Sequence, residues 1–288
     1  MTSSIPAANS AAPLLDVQDL QVNFVNARQI TPAVRGISFQ LGKEKLAIVG
    51  ESGSGKSTVG RALLQLHPRS AQVSAQRMQF DDVDLLRASP AQMRAVRGKR
   101  ISMIMQDPKY SLNPVVRVGE QIAEAWRSHH PGQGDIARQR ALEMLEVVQI
   151  RDPLRVYQCY PHEISGGQGQ RVMIAMMLIT DPELLIADEP TSALDVSVRL
   201  QVLTLLDELV QQRGLGLIFI SHDLNLVRRF CDRVLVMYAG RVVESLAANQ
   251  LDHAQHPYTK GLLAALPDMD QRRVRLPVLQ RQASWLQP

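Results

Sequence analysis

The chain has 288 residues, 45% of them apolar and 21% charged, with a formal net charge of +4. This length suffices for one large domain or two modest ones with a sizeable core, and the charge demands no nucleic-acid partner. Two cysteines, Cys159 and Cys231, stand in no metal or redox spacing, which argues against a disulfide scaffold and for a reducing compartment.

Residues 1–13 are uncharged and rich in serine and alanine, without a basic start or an apolar core. They read as a flexible tail and not as a signal peptide. Leu20, Val22 and Phe24 alternate with polar residues, as do Ile37, Phe39 and Leu41. Both runs predict half-buried, antiparallel strands. Lys45 to Val49 is a buried-strand run, and a helix is expected to carry Val59 to Gln65. A polar segment follows over about 68–100, then a strand at Ile101 to Met105. From Gly119 to Glu163 the pattern turns helical, with Leu142, Leu145 and Val148 at helical spacing and breaks at Pro131-Gly132 and Pro153. Strands are predicted at Leu184 to Ala187, Leu215 to Ile220 and Arg233 to Tyr238. A helix is predicted over Val198 to Arg213, stopped by Gly214. Ala239-Gly240 turns into Arg241 to Glu244, a hairpin. Strands alternating with helices imply an α/β fold with a mostly parallel sheet covered on both faces. Val172 to Ile179, the longest apolar stretch, is too short to cross a bilayer, so work at a membrane needs a partner's spans.

Gly50-Glu51-Ser52-Gly53-Ser54-Gly55-Lys56-Ser57-Thr58 has the spacing of a phosphate-binding loop between a strand and a helix. Glycines let the backbone approach an anion, successive N–H groups cradle it, Lys56 adds a charge on the β/γ-phosphates and Ser57 a hydroxyl for Mg²⁺. A plain Gly/Ser turn is the alternative. Leu184 to Ala187 delivers Asp188 and Glu189 at the carboxyl end of a strand, where open α/β sheets hold ligands. Asp188 is the candidate Mg²⁺ ligand. Glu189, on the opposite face by strand alternation, is the candidate to deprotonate an attacking water; a solvated loop acid is the bland reading. Ser165-Gly166-Gly167-Gln168 begins a helical run over Gln170 to Ile179, an exposed helix start that suits phosphate but alone reads as a plain capped helix.

The phosphate loop, Ser165 to Gln168, Asp188-Glu189, Ser192-Ala193-Leu194-Asp195 and Ser221-His222-Asp223 stand in the order and spacing of ABC-transporter ATPases. The chain resembles that family over about residues 14–246. The resemblance implies a P-loop NTPase core with an N-terminal antiparallel β subdomain, an inserted helical subdomain over about 112–165, and a C-terminal extension over 247–288. It makes Gln106 the glutamine that senses Mg²⁺ and the transmembrane partner, His222 the histidine at the γ-phosphate, and Asp195 part of a loop crossing between subunits. Phe24 falls where the family stacks an aromatic on adenine. Alone, His222 reads as a structural histidine and Phe24 as core. The implied ligands are ATP and Mg²⁺, shared between two subunits stacked head to tail.

Gln106-Asp107-Pro108, Ser111-Leu112-Asn113-Pro114, Gly119-Glu120-Gln121-Ile122 and His256-Pro257-Tyr258-Thr259 resemble the ATPases of dipeptide, oligopeptide and nickel importers. That implies ATP hydrolysis driving import of peptides or nickel, peripherally at the cytoplasmic face of the inner membrane. The implied partners are transmembrane permease subunits, a second ATPase (a different chain favoured over a copy) and, indirectly, a periplasmic or extracellular solute-binding protein, with no nucleic acid. A non-transport ABC module acting on ribosomes or nucleic acid is the alternative, and an ATP-sensing regulator without turnover a third. Gly169 replaces a commonly basic residue, and the extension lacks the cysteines of an iron–sulfur cluster. His129-His130 is expected to be a solvated loop and not a metal site, and a packing role is expected for His256. Arg94, Arg97, Lys99 and Arg100 read as a solvated face.

Overall fold

A computed structural model describes residues 12–26, 29–106, 111–192, 194–266 and 285. The expected tail up to residue 11, Asp107, Pro108, Ala193 and most of the expected extension past residue 266 lie outside the described residues. The chain divides into two compact units, one built from the stretches up to Ala88 and from Ile218 onward, the other from Ser89–Leu217.

The first unit opens with β1 (Leu15–Asn26) and β2 (Gln29–Leu41), paired antiparallel as their alternation predicts. Ile37, Phe39 and Leu41 are buried while Ser38 and Gln40 between them are exposed. Next come β3 (Lys45–Val49) and α1 (Lys56–Leu63), then β4 (Ala71–Ser74), β5 (Arg77–Phe80) and the two-residue β6 (Val83–Asp84). β4 pairs with the second half of β1, β5 with its first half, and β6 with β5, all antiparallel. These strands have four residues or fewer, too short for a period of two to stand out in a polar stretch.

In the second unit, Ser89 caps α2 (Pro90–Val96) through a capping box with Gln92. β7 (Ile101–Ile104) is fully buried. The expected helical stretch comprises α3 (Val118–His129), α4 (Ala137–Val147) and α5 (Pro153–Gln158). Then come α6 (Gly166–Leu178), β8 (Leu184–Asp188) and α7 (Val196–Arg213). β8 runs parallel to β7, with Ile101 opposite Leu184 and Ile104 opposite Ala187. Gly214 ends α7 at φ 61, the left-handed geometry glycine adopts without a Cβ clash.

The histidine pair in this unit departs from the expected solvated loop. His129 is the last residue of α3 and half-buried. His130 stacks on Trp126 with ring centroids 3.5 Å apart, its Nδ1 lying 3.0 Å from the Trp126 carbonyl oxygen. A tryptophan one helical turn upstream holds the imidazole flat; the Pro131-Gly132 break starts only after it.

The boundary falls within β9 (Gly216–Ser221), after which the first unit continues with α8 (Leu224–Phe230), β10 (Arg233–Tyr238), β11 (Arg241–Ala247) and α9 (Pro257–Ala264). The strand order is β11-β10-β3-β9. β3 and β10 are parallel, and from Leu46 to Val49 every β3 side chain is fully buried, as a strand covered on both faces requires. β10 and β11 form the expected hairpin, with Ala239 at φ 44 and Gly240 at φ 84, two positive angles as in a tight two-residue turn. Trp285 packs on Tyr238 and Tyr258, each with ring centroids 5.6 Å away. Among the described residues no helix is long and apolar enough to cross a membrane.

Candidate nucleotide site

The loop after β3 has the geometry its glycines suggest, for different reasons at different positions. Gly50 adopts φ 148, and a Cβ there would collide with the Met237 carbonyl oxygen and lie 2.9 Å from Ser54 Oγ. A Cβ on Gly55, at φ 99, would collide with the carbonyl oxygen of Ala33. Gly53 has open space around it, so its requirement is the left-handed φ of 81 alone. Helix α1 begins at Lys56, which brings Ser57 and Thr58 into its first turn, and no side chain caps that helix start. Uncapped first-turn N–H groups and the positive end of the helix dipole are an anion-binding arrangement. Lys56 is 5% exposed, and its ammonium donates to the carbonyls of Gly50 and Glu51, both at 2.9 Å. Among the described residues the buried Ser54 hydroxyl has no hydrogen-bond partner. Ser52 and Gly53 are exposed at the tip of the loop. Phe24, on β1, is half-buried and outside the core, opposite Thr31 and Ala71. His222 follows β9 and is exposed; Asp223, next to it, caps α8 by accepting from the Leu226 N–H at 3.0 Å.

In the second unit, Asp188 ends β8 and is 3% exposed. Glu189 lies one residue past the strand with φ 47, so the alternation expected to turn it to the opposite face stops before it. Its half-buried carboxylate accepts a hydrogen bond from Gln106 Nε2 at 3.0 Å. The structure thus joins two candidate residues 83 positions apart.

Ser165 is the N-cap of α6. Its hydroxyl accepts from the Gln168 N–H at 3.3 Å while Gln168 Oε1 accepts from the Ser165 N–H at 3.1 Å. Gly166 is exposed with no neighbour nearer than 3.9 Å to a Cβ, whereas a Cβ on Gly167 would stand 2.6 Å from Val198 Cγ1 of α7. Gly167 therefore has a packing reason and Gly166 does not. Asp195 caps α7, accepting from the Val198 N–H at 3.0 Å and the Ser197 hydroxyl at 2.8 Å. The Val198 backbone bond, then the Ser197 bond, holds its carboxyl below the ordinary carboxylate range.

The resemblance motifs around α3 also have structural work. Gln121 accepts from the Asn113 N–H at 2.8 Å and donates to the carbonyls of Asn113 and Val116 at 3.0 and 2.8 Å. Glu120 accepts the Tyr157 hydroxyl at 2.6 Å. The residue most clearly missed is Tyr258. Its hydroxyl accepts from the Glu51 N–H at 3.0 Å, and it is fully buried. Its motif signals a resemblance, but nothing in the local pattern points 207 residues back to the loop.

An uncapped helix start with a buried lysine after a buried parallel strand defines a P-loop nucleotide-binding protein. The chain belongs to the ABC transporter family, whose profile matches residues 34–192. It is 46% identical over 270 residues to a putative peptide import ATP-binding protein of Brucella abortus (strain 2308), covering 93% of this chain and 81% of that protein. It is also 46% identical over 260 residues to the dipeptide transport ATP-binding protein DppD of Bacillus subtilis (strain 168), covering 89% and 78%. Among solved structures it resembles the ATP-binding cassette MJ0796, a dimer in a post-hydrolysis state bound to ADP and Pi, with a TM-score of 0.70, 26% identity, and coverage of 81% of this chain and 98% of that one. Another is cbiO1 from Clostridium perfringens, part of the ABC transporter complex cbiONQ, with a TM-score of 0.71, 28% identity, and coverage of 84% and 91%. The fold is that of an ABC ATPase cassette.

Proposed function

We propose that this chain is the ATP-hydrolysing subunit that energises membrane import of peptides. The observation that carries the ATPase chemistry is the Gly50–Thr58 loop, with its uncapped helix start and buried Lys56 ammonium. Lys56 rests on backbone carbonyls that a phosphate oxygen can outbid, since a charge-assisted bond to an anion is stronger than one to a neutral carbonyl. Peptide cargo is supported by the peptide and dipeptide import relatives.

In this reading Phe24 stacks on adenine, Gly50, Ser52, Gly53 and Gly55 shape the cradle, and Lys56, Ser57 and Thr58 bind phosphates. Ser57, Asp188 and Gln106 are the residues that would hold Mg²⁺. Among the described residues no group of three or more His, Cys, Asp or Glu could hold a metal. Asp188, 3% exposed at the carboxyl end of β8, offers the carboxylate oxygen that such a hard cation takes. When bound there, Mg²⁺ would supply positive charge to offset that of the phosphates. Glu189 accepts the proton of the attacking water, Gln106 holds its carboxylate, and His222 contacts the γ-phosphate. Ser165, Gly166, Gly167 and Gln168, with Asp195, complete the site of a second ATPase subunit, so that ATP favours the closed pair by contacting both. Residues 14–246 form the cassette, about 112–165 its helical part, and the chain from 247 onward the extension. Transmembrane permease subunits, a second and different ATPase, and a solute-binding protein complete the importer. The chain sits peripherally at the cytoplasmic face.

Glu189→Gln tests the assignment. The variant should bind ATP as the wild type does while turnover in the assembled importer falls by about 10²-fold or more. Wild-type turnover would remove Glu189 from its role. Purification of the chain from membranes with its partners, identified by mass spectrometry, tests the peptide importer.

A further inference from the structure

The peptide bond between Gly50 and Glu51 is held from both sides. Its carbonyl accepts the Lys56 ammonium at 2.9 Å, and its N–H donates to the Tyr258 hydroxyl at 3.0 Å. In a trans peptide the two groups point in opposite directions, so both bonds are satisfied in one orientation of the plane. The bonds also reinforce each other, because a carbonyl bound to a cation makes its N–H a stronger donor. Gly50 has no Cβ and sits at φ 148, so side-chain sterics do little to restrain rotation of this peptide.

Tyr258 itself has little freedom. It is in the first turn of α9, fully buried, with its ring 4.5 Å from that of Tyr238 and 5.6 Å from Trp285. The chain entering α9 is fixed in turn. Glu244 of β11 accepts from the Gln255 and His256 N–H groups at 2.5 and 3.2 Å, and His256 Nδ1 accepts from the Tyr258 N–H at 3.1 Å. The ring packing and the cap both aim one hydroxyl at one loop N–H.

We propose that Tyr258 is a positioning residue of the nucleotide site. Through its hydroxyl the C-terminal extension sets the orientation of the 50–51 peptide, and with it the place where Lys56 waits for phosphate. This rests on the reading of the loop as the ATP site. A pre-set loop need not be ordered when the nucleotide arrives, which raises affinity without any contact between Tyr258 and the ligand.

The test is titration of the purified full chain with a fluorescent ADP analogue and Mg²⁺, alongside thermal unfolding. Tyr258→Phe keeps the ring and removes the hydroxyl. Its dissociation constant should rise roughly three- to ten-fold, the effect of one hydrogen bond, with a melting temperature close to wild type. Trp285→Phe disturbs the same aromatic cluster and leaves the hydroxyl, and should bind as wild type does. Wild-type affinity in Tyr258→Phe, or an equal loss in Trp285→Phe, overturns the proposal. Lys56→Ala separates it from the reading beneath it. If the wild type binds no nucleotide, or Lys56→Ala binds as well as the wild type, the loop is not the site. If Lys56→Ala loses binding while Tyr258→Phe keeps it, the positioning role alone fails.

Discussion

Gly119→Ala should destabilise the protein, against the sign that helix propensity assigns it. Gly119 lies in the first turn of α3, and alanine in a helix is favoured over glycine by about 1 kcal/mol. In the structure a Cβ there would stand 2.6 Å from Tyr157 Cδ1 and closer still to Cγ and Cδ2. An ordinary carbon contact needs about 3.5–4.0 Å, so the ring must move by about 1 Å or more. Tyr157 is 2% exposed and has little room for that, and its hydroxyl is tied to Glu120 at 2.6 Å. Overpacking of this kind costs about 1–3 kcal/mol, and displacing the Glu120 bond adds about 1 kcal/mol. After subtracting the propensity gain, the net loss is about 1–3 kcal/mol. Urea unfolding followed by circular dichroism measures it, with the same substitution repeated in a Tyr157→Ala background. There the clash is gone, and Gly119→Ala should become neutral or stabilising. A Gly119→Ala protein as stable as wild type, or a loss that persists without the Tyr157 ring, would refute the packing argument.

Other expectations follow from the same geometry. Burial, then the bond to Glu120, pushes the Tyr157 hydroxyl up to about 12, and that bond is the largest influence holding Glu120 below its ordinary 4.5. A raised tyrosine stabilises below its unfolded value near 10 and loses that contribution as pH climbs to about 12; a depressed carboxylate stabilises above 4.5 and loses its contribution as pH falls. The stability advantage of wild type over Tyr157→Phe should therefore be full between about pH 5 and 10 and shrink on either side, as denaturant titrations across pH will read. Gly167→Ala should lower stability by about 1–2 kcal/mol through its clash with Val198, while Gly166→Ala should leave the melting temperature nearly unchanged. If Gly166 faces a second subunit's nucleotide, that same Gly166→Ala protein should hydrolyse ATP poorly in the assembled importer. Gln106→Ala should raise the mobility of Glu189 and lower turnover about ten-fold or more with little change in nucleotide affinity, a split visible in KM against kcat.

The parts of the fold legible in the sequence are those whose reason is local. The alternation of Ile37, Phe39 and Leu41, the all-apolar run of β3 and the glycine stop after α7 each follow from side chains within a few residues. The phosphate loop is legible because its chemistry fixes both residue types and spacing. The short strands β4, β5 and β6 are not, since four residues carry no reliable period. Glu189 stands out by type and context, but its backbone departs from the strand that announces it. Gln106 joins Glu189, and Tyr258 joins Glu51, through contacts 83 and 207 residues long. Such partners are chosen by how strands and helices pack, and local periodicity carries no trace of them. The setting of the His129-His130 pair is illegible for a related reason. Only the folded helix brings Trp126 under His130.

The chain has two tryptophans, and each unit holds one. Trp126 lies flat against an imidazole, with the Arg140 guanidinium 5.3 Å from its ring, whereas Trp285 is set among tyrosines. Both indole nitrogens are buried and have no hydrogen-bond partner among the described residues. An indole in such dry surroundings emits at short wavelength and shifts to the red when water reaches it. Each half of the molecule is thus born with its own optical label. Replacing either tryptophan by phenylalanine leaves a single-colour probe of whichever unit loosens first when the protein is heated, chelated or given nucleotide.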